Sequence, residues 1–540
     1  MSFNYLAQKK NYIYLAFLIP FIYRLVLSTQ GIDNTDVGFC NTFYQAIFTA
    51  PDTNEFCFIY YLTGFLGGLW EFVFGGLGLI GFRIFETITL AAALYFLYLT
   101  YKDRMSKKHS FAAIFLSMLF PVTIVTFHYD TLSYLLIAMS AYIYSRYLQR
   151  NDSKWVFFTG LMIGFSFFAR IVNLSFCCLA LLPLIIISKT IEQRLKDCTY
   201  MILGMGGAIL TIIIMMLACN HIDNYMAGLQ DAFSTLDRSD ATHSKGEMIF
   251  RYIKSLKNII LQVFILASIT FLLYKNEQKE YKYKLYFKHL LFISILVVTL
   301  TSQVYLTTLS ATICVIFFVL YQQRKRQNPE LHITLFLLVA TFCMPMGSDI
   351  GIQSIFNWCA RLLVFPAVYY SKFLKESILL KTIKVTYLSC AICAICKLSY
   401  RAYGESAARV HCFSMIQPSR LNVLTEKDKA YKYQRAISAI QKYSIANQTL
   451  LLSTQASELY YATNKMPYLG HVQTIIYQGK RLEQRMDERL AHFRTFPLIA
   501  TLNITKKPHE IANEKILTAW MEKYHYQQVY KDNYISIYNR

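Results

Sequence analysis

The 540-residue chain is 55% hydrophobic and only 16% charged, with a mean hydropathy of +0.34. That balance excludes a single soluble domain, because apolar runs of about 15 to 20 residues recur from Asn11 to Ser399 and read as membrane spans. The net charge of +22 lies in short loops and a polar tail, with no basic helix or aromatic RNA-binding motif, so it sets orientation and no nucleic-acid partner is expected.

Lys9 and Lys10 precede the first run, Asn11 to Gln30, and place the amino end in the cytoplasm. The run includes Arg24 and lacks a small-residue cleavage site, which fits a retained anchor. Gly31 to Cys57 then carries Asp33, Asp36, Asp52 and Glu55 and no Lys or Arg, as an outer loop does. In the long apolar stretch Phe58 to Tyr101, two crossings would put the basic loop Lys102, Arg104, Lys107, Lys108 outside. Phe58 to Gly81 is therefore read as interfacial or re-entrant helices, and Phe82 to Tyr101 as the second span.

The later basic loops, from Arg146 to Lys154 through Lys372 to Lys384, all fall inside if tight outer turns lie at His128 to Asp130, at Arg170 to Asn173 and near Thr301 to Gln303. Larger outer segments then lie at Asn220 to Ser255 and Ser348 to Asn357. The expected fold class is a polytopic α-helical membrane protein of about 13 transmembrane helices over residues 1–399, with residues 31–81 forming the first outer loop and its interfacial helices. Gly160, Gly164, Gly204 and Gly207 suit close helix packing. Most of the 13 cysteines lie inside apolar runs, whereas Cys40 and Cys57 share the outer loop, where a disulfide is an option on an oxidising side. From Tyr400 the composition turns polar. Strand character at Thr449 to Thr454 and Pro497 to Leu502, a helix over Pro508 to Tyr524 and a hairpin around Asp532 and Asn533 predict a small extracytoplasmic α/β domain over 400–540.

Charges at membrane depth are hypotheses about function. Asp33, Asp36, Arg83, His128, Asp130, Arg170, Asp349 and Arg361 all fall at the predicted outer ends of spans, and together they would line one cavity opening outward. A carboxylate there suits removal of a proton from an acceptor hydroxyl, and Arg or His suits a phosphate leaving group. Each residue has a structural alternative. Asp33 and Asp36 fit a turn and a helix cap, His128 and Asp130 fit a cap on the following span, and Arg170 and Arg361 fit snorkelling to the interface. His221, Arg238, His243 and Arg251 read as solvated residues of the large outer segment. No HExxH, paired CxxC or P-loop is present, so zinc chemistry and ATP hydrolysis lack support.

The acidic first loop Gly31-Ile-Asp-Asn-Thr-Asp-Val-Gly38, the Arg83-Ile-Phe segment and His128-Tyr-Asp-Thr-Leu132 resemble the GT-C superfamily of glycosyltransferases that use polyprenyl-phosphate sugars. Within it, the layout is similar to the bacterial branch of the protein mannosyltransferase and aminoarabinose transferase group. The resemblance implies a membrane transferase, in the bacterial cytoplasmic membrane, that passes a hexose or pentose from a polyprenyl-phosphate donor to an outer glycan, lipid or protein acceptor with inversion. It places the catalytic base at Asp36 or Asp33. Asp36 is favoured because it stands before Val37, Gly38 and the aromatic Phe39; the family's neighbouring Glu is missing here. Substrate contacts fall to Arg83, His128, Asp130, Arg170, Asp349 and Arg361. No cofactor is required by that chemistry, although the two aspartates suit weak binding of a divalent metal. Rival readings are a polysaccharide polymerase or ligase working from Asn220 to Ser255, and a transporter or lipid flippase with inverted repeats, which the sequence does not display.

Overall fold

The computed structural model describes residues 12–33, 35–119, 125–186, 188–236, 245–277, 313, 329–348, 351–352, 356–371, 388, 391–393, 395–417, 419–477, 479–502 and 508–540. Its first helix, Tyr12–Ser28, has 17 residues. At 1.5 Å per residue it is about 26 Å long, close to the thickness of a bilayer core. Arg24 on this helix is buried and meets both carboxylate oxygens of buried Glu86 at 3.1 Å. The pair ties Tyr12–Ser28 to helix Gly78–Tyr101 and removes the cost of a lone charge in an apolar bundle.

The stretch Phe58 to Tyr101 is divided as the glycines dictate. A 3-10 turn at Glu55–Tyr60 leads into helix Tyr61–Phe74, a short 3-10 break at Gly75–Leu77, and helix Gly78–Tyr101. Gly78 has φ +59, and a Cβ there would lie 1.9 Å from the Arg420 carbonyl oxygen, so only glycine allows this corner against the polar tail. Glu71, which interrupts the apolar run, pairs with Arg420 and accepts from the Tyr461 hydroxyl at 3.3 Å.

Helix Tyr129–Arg150 is followed by Ser153–Ala169, which starts where the Asp152 carboxylate accepts from the Lys154 N–H. A 15-residue 3-10 segment, Ile171–Ile185, precedes Ile191–Ala218, which a reciprocal Thr190–Gln193 capping box begins. Ser153–Ala169 and Ile191–Ala218 cross at small residues. A Cβ on Gly160 would sit 2.0 Å from the Met201 carbonyl oxygen, and one on Gly204 2.0 Å from that of Phe157.

Two described stretches, Glu55–Tyr101 and Ile191–Ala218, are long and apolar enough to cross a membrane; Ile13–Ser28, Ser153–Ala169, Ile171–Ile185 and Pro329–Cys343 are shorter apolar helices. The described residues therefore do not establish the expected 13 spans. The turn near Thr301 to Gln303, the basic loops at 278–288 and 324–326 and most of Lys372 to Lys384 lie outside the described residues.

All six strands among the described residues fall after residue 400. β1 (Ser414–Met415) pairs antiparallel with β2 (Leu424–Thr425). β3 (Leu450–Leu452), β4 (Leu498–Leu502), β5 (Gln527–Lys531) and β6 (Ile535–Asn539) form a sheet of order β3-β4-β6-β5, with β3 parallel to β4 and the other pairs antiparallel. Side-chain alternation separates two faces. Leu450, Leu452, Ala500, Ile535 and Ile537 pack with Ile437 and Ile440 of helix Lys427–Tyr443, whereas Leu451 and Ile499 pack with Trp520 of helix Pro508–Lys523.

Candidate active site

The first loop, Gly31 to Cys57, is built against the strand-bearing region. Gly31 donates to the Leu424 carbonyl at 2.7 Å, and Gln30 bridges Leu424 in parallel. Gly31 has φ +93, and a Cβ on it would lie 2.1 Å from the Tyr403 carbonyl oxygen. Arg83, fully buried, donates to the carbonyls of Ser28, Gln30 (3.3 Å) and Gly31 (2.6 Å). Its guanidinium is thus committed to the end of the first helix, and a loop-holding role replaces the phosphate contact expected of it.

Asp33 and Asp36 occupy the same turn and differ in environment. The Asp33 Oδ2 accepts from the N–H groups of Asp36 (2.9 Å) and Val37 (3.4 Å) and from the Tyr403 hydroxyl (3.2 Å), while Oδ1 accepts from Thr35 Oγ1 at 3.3 Å. It caps helix Asp36–Ala46. Asp36 opens that helix with an exposed side chain. From below, buried Glu458 accepts from the Gly38 N–H at 3.2 Å, and Ser457 donates to the Thr35 carbonyl. Burial, and then the charge of Asp33, raise the Glu458 carboxyl well above its ordinary range, so it is held neutral. Burial together with the charges of Asp33 and Asp36 likewise keeps the Tyr403 phenol protonated, as a donor must be.

A second cluster forms at two helix ends. His128, buried and extended at φ −157, precedes helix Tyr129–Arg150; its Nδ1 lies 2.9 Å from the Thr126 carbonyl and 3.0 Å from Thr131 Oγ1. Its Nε2 lies 3.8 Å from Asp130 Oδ2. Arg170 follows the end of Ser153–Ala169 and donates from Nη1 to Asp130 Oδ1 (3.2 Å) and to the Met344 carbonyl (2.9 Å). The guanidinium stands 5.4 Å above the Tyr129 ring, which stacks on Tyr60 at 4.4 Å. Helix Asp36–Ala46 reaches the residues leading into this cluster: Thr126 Oγ1 donates to Asn41 Oδ1 at 3.1 Å, and the Tyr44 hydroxyl donates to the Phe127 carbonyl at 2.8 Å.

His128, Asp130 and Arg170 thus come together, beside the helix that Asp36 opens. Arg361 is fully buried on helix Phe356–Ser371, donates from Nε to the Ser117 carbonyl at 3.1 Å, and acts on Tyr134, one turn beyond Asp130. Asp349, Arg238 and His243 lie outside the described residues, although the Met344–Ser348 turn before Asp349 touches Arg170. Two expectations need correction. Cys40 and Cys57 are separate buried thiols, the latter donating to Asn54 Oδ1, and burial raises both pKa values. His221 is buried rather than solvated and packs against Phe48 and Phe58, since apolar neighbours from the first loop cover it. Arg251 pairs with Glu247 one turn away.

As for a metal, the Asp33 oxygens are occupied by hydrogen bonds, and no group of three or more His, Cys, Asp or Glu is gathered among the described residues. Sequence reasoning missed Glu458, Tyr403 and Glu405. They lie more than 360 residues beyond the loop they support, and no local pattern marks them.

Residues 57–218 match the family model described as dolichyl-phosphate-mannose-protein mannosyltransferase. The chain aligns with the crystal structure of the Archaeoglobus fulgidus oligosaccharyltransferase in complex with Zn and sulfate at a TM-score of 0.50 and 10% identity, over 91% of this chain and 68% of that one. The fold is like that of this oligosaccharyltransferase, and of the GT-C type. The apo form of the Archaeoglobus protein aligns at 0.49 and 10% identity (92% and 70% covered). ArnT from Cupriavidus metallidurans, bound to undecaprenyl phosphate, aligns at 0.48 and 8% identity (98% of each chain). No curated protein matches the sequence. The family match contains Arg83, His128, Asp130 and Arg170 and stops short of Asp33 and Asp36 on one side and of Arg361 on the other.

Proposed function

We propose that the protein is an integral-membrane glycosyltransferase that moves a sugar from a polyprenyl-phosphate donor to a hydroxyl of an extracytoplasmic glycan, lipid or protein acceptor. In a single displacement, the Asp36 carboxylate takes the hydroxyl proton, and the acceptor oxygen bonds to the anomeric carbon. The bond from that carbon to the phosphate oxygen breaks, its electron pair leaves with the lipid phosphate, and configuration inverts. Arg170 and His128 face the developing phosphate charge, Asp130 orients both, and Arg361 adds positive charge deeper in the bundle. Asp33 and Arg83 hold the loop that carries the base. Because the leaving phosphate is already a stabilised anion, the step as written needs no added Lewis acid. Residues 1–399 would form the membrane catalytic domain in a bacterial cytoplasmic membrane, with residues 400–540 covering its outer face.

The observation that carries this reading is an exposed carboxylate on a helix start pinned from two sides, on a helix that also bonds to the residues leading into a buried Asp–Arg–His cluster. Mass spectrometry of surface glycans tests it. Cells lacking the protein should lose one sugar residue, restored by the wild-type chain and not by Asp36→Asn. Glycans that are identical with and without the protein would reject the reading.

A further inference from the structure

A cleft of about 490 Å³ opens in the C-terminal region between the Gly404–Ser406 turn, the start of helix Lys427–Tyr443 and residues 455–459. Glu405, Glu426 and Lys429 line it, together with Lys432 and the rings of Tyr433 and Tyr534. Glu405 is only 3% exposed. Its Oε1 accepts from the Ile32 N–H at 2.8 Å and from Thr425 Oγ1, with Lys429 Nζ at 3.5 Å, while Oε2 has no hydrogen-bond partner among the described residues. Glu405 lines the cleft, and its second carboxylate oxygen keeps open lone pairs that a hydroxyl donor from outside the chain would satisfy.

The cleft is also tied to the catalytic loop. Lys429 donates to the carbonyls of Ile32 and Gly404, so the backbone that leads into Asp33 and Asp36 is held from the cleft wall. Three carboxylates (Glu405, Glu426, Asp428) face two ammonium groups (Lys429, Lys432), and Lys432 pairs with Asp428 at 2.5 Å. This near balance, with a slight acidic excess, favours neutral hydroxyls and disfavours anions. Tyr433 is buried in the cleft wall, while the part-exposed Tyr534 ring, with Lys432 Nζ 5.7 Å from its centroid, is a flat apolar surface of the kind on which sugar rings stack.

We infer that this cleft is an acceptor subsite that binds a neutral saccharide unit and presents it toward Asp36. The inference rests on the glycosyltransferase reading above and adds the acceptor's chemical class to it. The full-length protein in detergent is tested for binding to three probes: neutral hexose oligosaccharides, uronate oligosaccharides and polyprenyl phosphate. Neutral oligosaccharides should bind at least about tenfold more tightly than uronates, and Ser406→Trp, which fills the cleft, should weaken them by at least about tenfold. Tyr534→Ala, which removes the stacking face, should weaken the same probe in protein whose thermal unfolding matches the wild type. Wild-type protein that binds polyprenyl phosphate but no neutral oligosaccharide overturns the subsite and leaves the transferase reading standing. Equal neutral-sugar binding by wild type and both variants also overturns it. Failure to bind polyprenyl phosphate counts instead against the transferase reading.

Discussion

At Glu458 a carboxyl is buried beneath the loop that carries the proposed base, accepting one backbone N–H and facing the charge of Asp33. Its pKa is raised above the ordinary 4.5, so the folded state holds its proton where the unfolded state has released it. The stability that it contributes is complete below about pH 4.5 and declines as pH rises toward the folded value. Glu458→Gln keeps an oxygen for the Gly38 N–H and removes the titration. Its unfolding temperature should therefore fall less than that of the wild type between about pH 5 and about pH 8; parallel curves would show that Glu458 is ionised in the fold. Arg170 makes the opposite case, because its loss strands a charge. Arg170→Ala leaves Asp130 buried without its guanidinium partner, with only His128 Nε2 3.8 Å away, and should cost about 3–5 kcal/mol in denaturant unfolding, much of it recovered by adding Asp130→Asn. Equal stability of the single and double variants would argue against the pairing.

Among the elements, glycine contacts decide where the first loop meets the strand-bearing region. Gly31→Ala combines a left-handed φ with a Cβ 2.1 Å from the Tyr403 carbonyl and should destabilise by about 1–3 kcal/mol, read as a lower unfolding midpoint. An unchanged midpoint would mean that the loop is not seated there. Local periodicity made several elements legible beforehand. Strands β5 and β6 fall on either side of Asp532, whose carboxylate accepts from the N–H groups of Tyr534 and Ile535, and this is the turn chemistry that an Asp-Asn pair advertises. The start of helix Tyr129–Arg150 was legible for the same reason. Contacts set by tertiary closure were not legible. Nothing near Arg83 indicates that its donors go to the carbonyls of Ser28, Gln30 and Gly31, and nothing near Gly38 points to Glu458, 420 residues away.

For the whole molecule, the charges left inside the apolar half are explained by what docks on them. Glu55 receives Arg485 at 2.7 Å and Arg489 at 3.1 Å from helix Lys480–Phe493, and Asp231 of helix Ile222–Leu236 lies 3.5 Å from Arg485. With the Glu71–Arg420 pair, these contacts fix residues 401–540 over the first loop and its acidic residues. Replacing Arg485 and Arg489 together by Ala should leave Glu55 unpaired and speed trypsin cleavage between the membrane helices and the C-terminal region; an unchanged cleavage rate would deny the clamp a role in docking. The central claim, that Asp36 takes the acceptor proton in sugar transfer from a polyprenyl phosphate, is tested most directly by the initial transfer rate of purified protein in lipid vesicles supplied with that donor and an acceptor. Asp36→Asn should fall by about 10²–10⁴-fold with its unfolding temperature unchanged. A variant that transfers sugar at the wild-type rate would contradict the account.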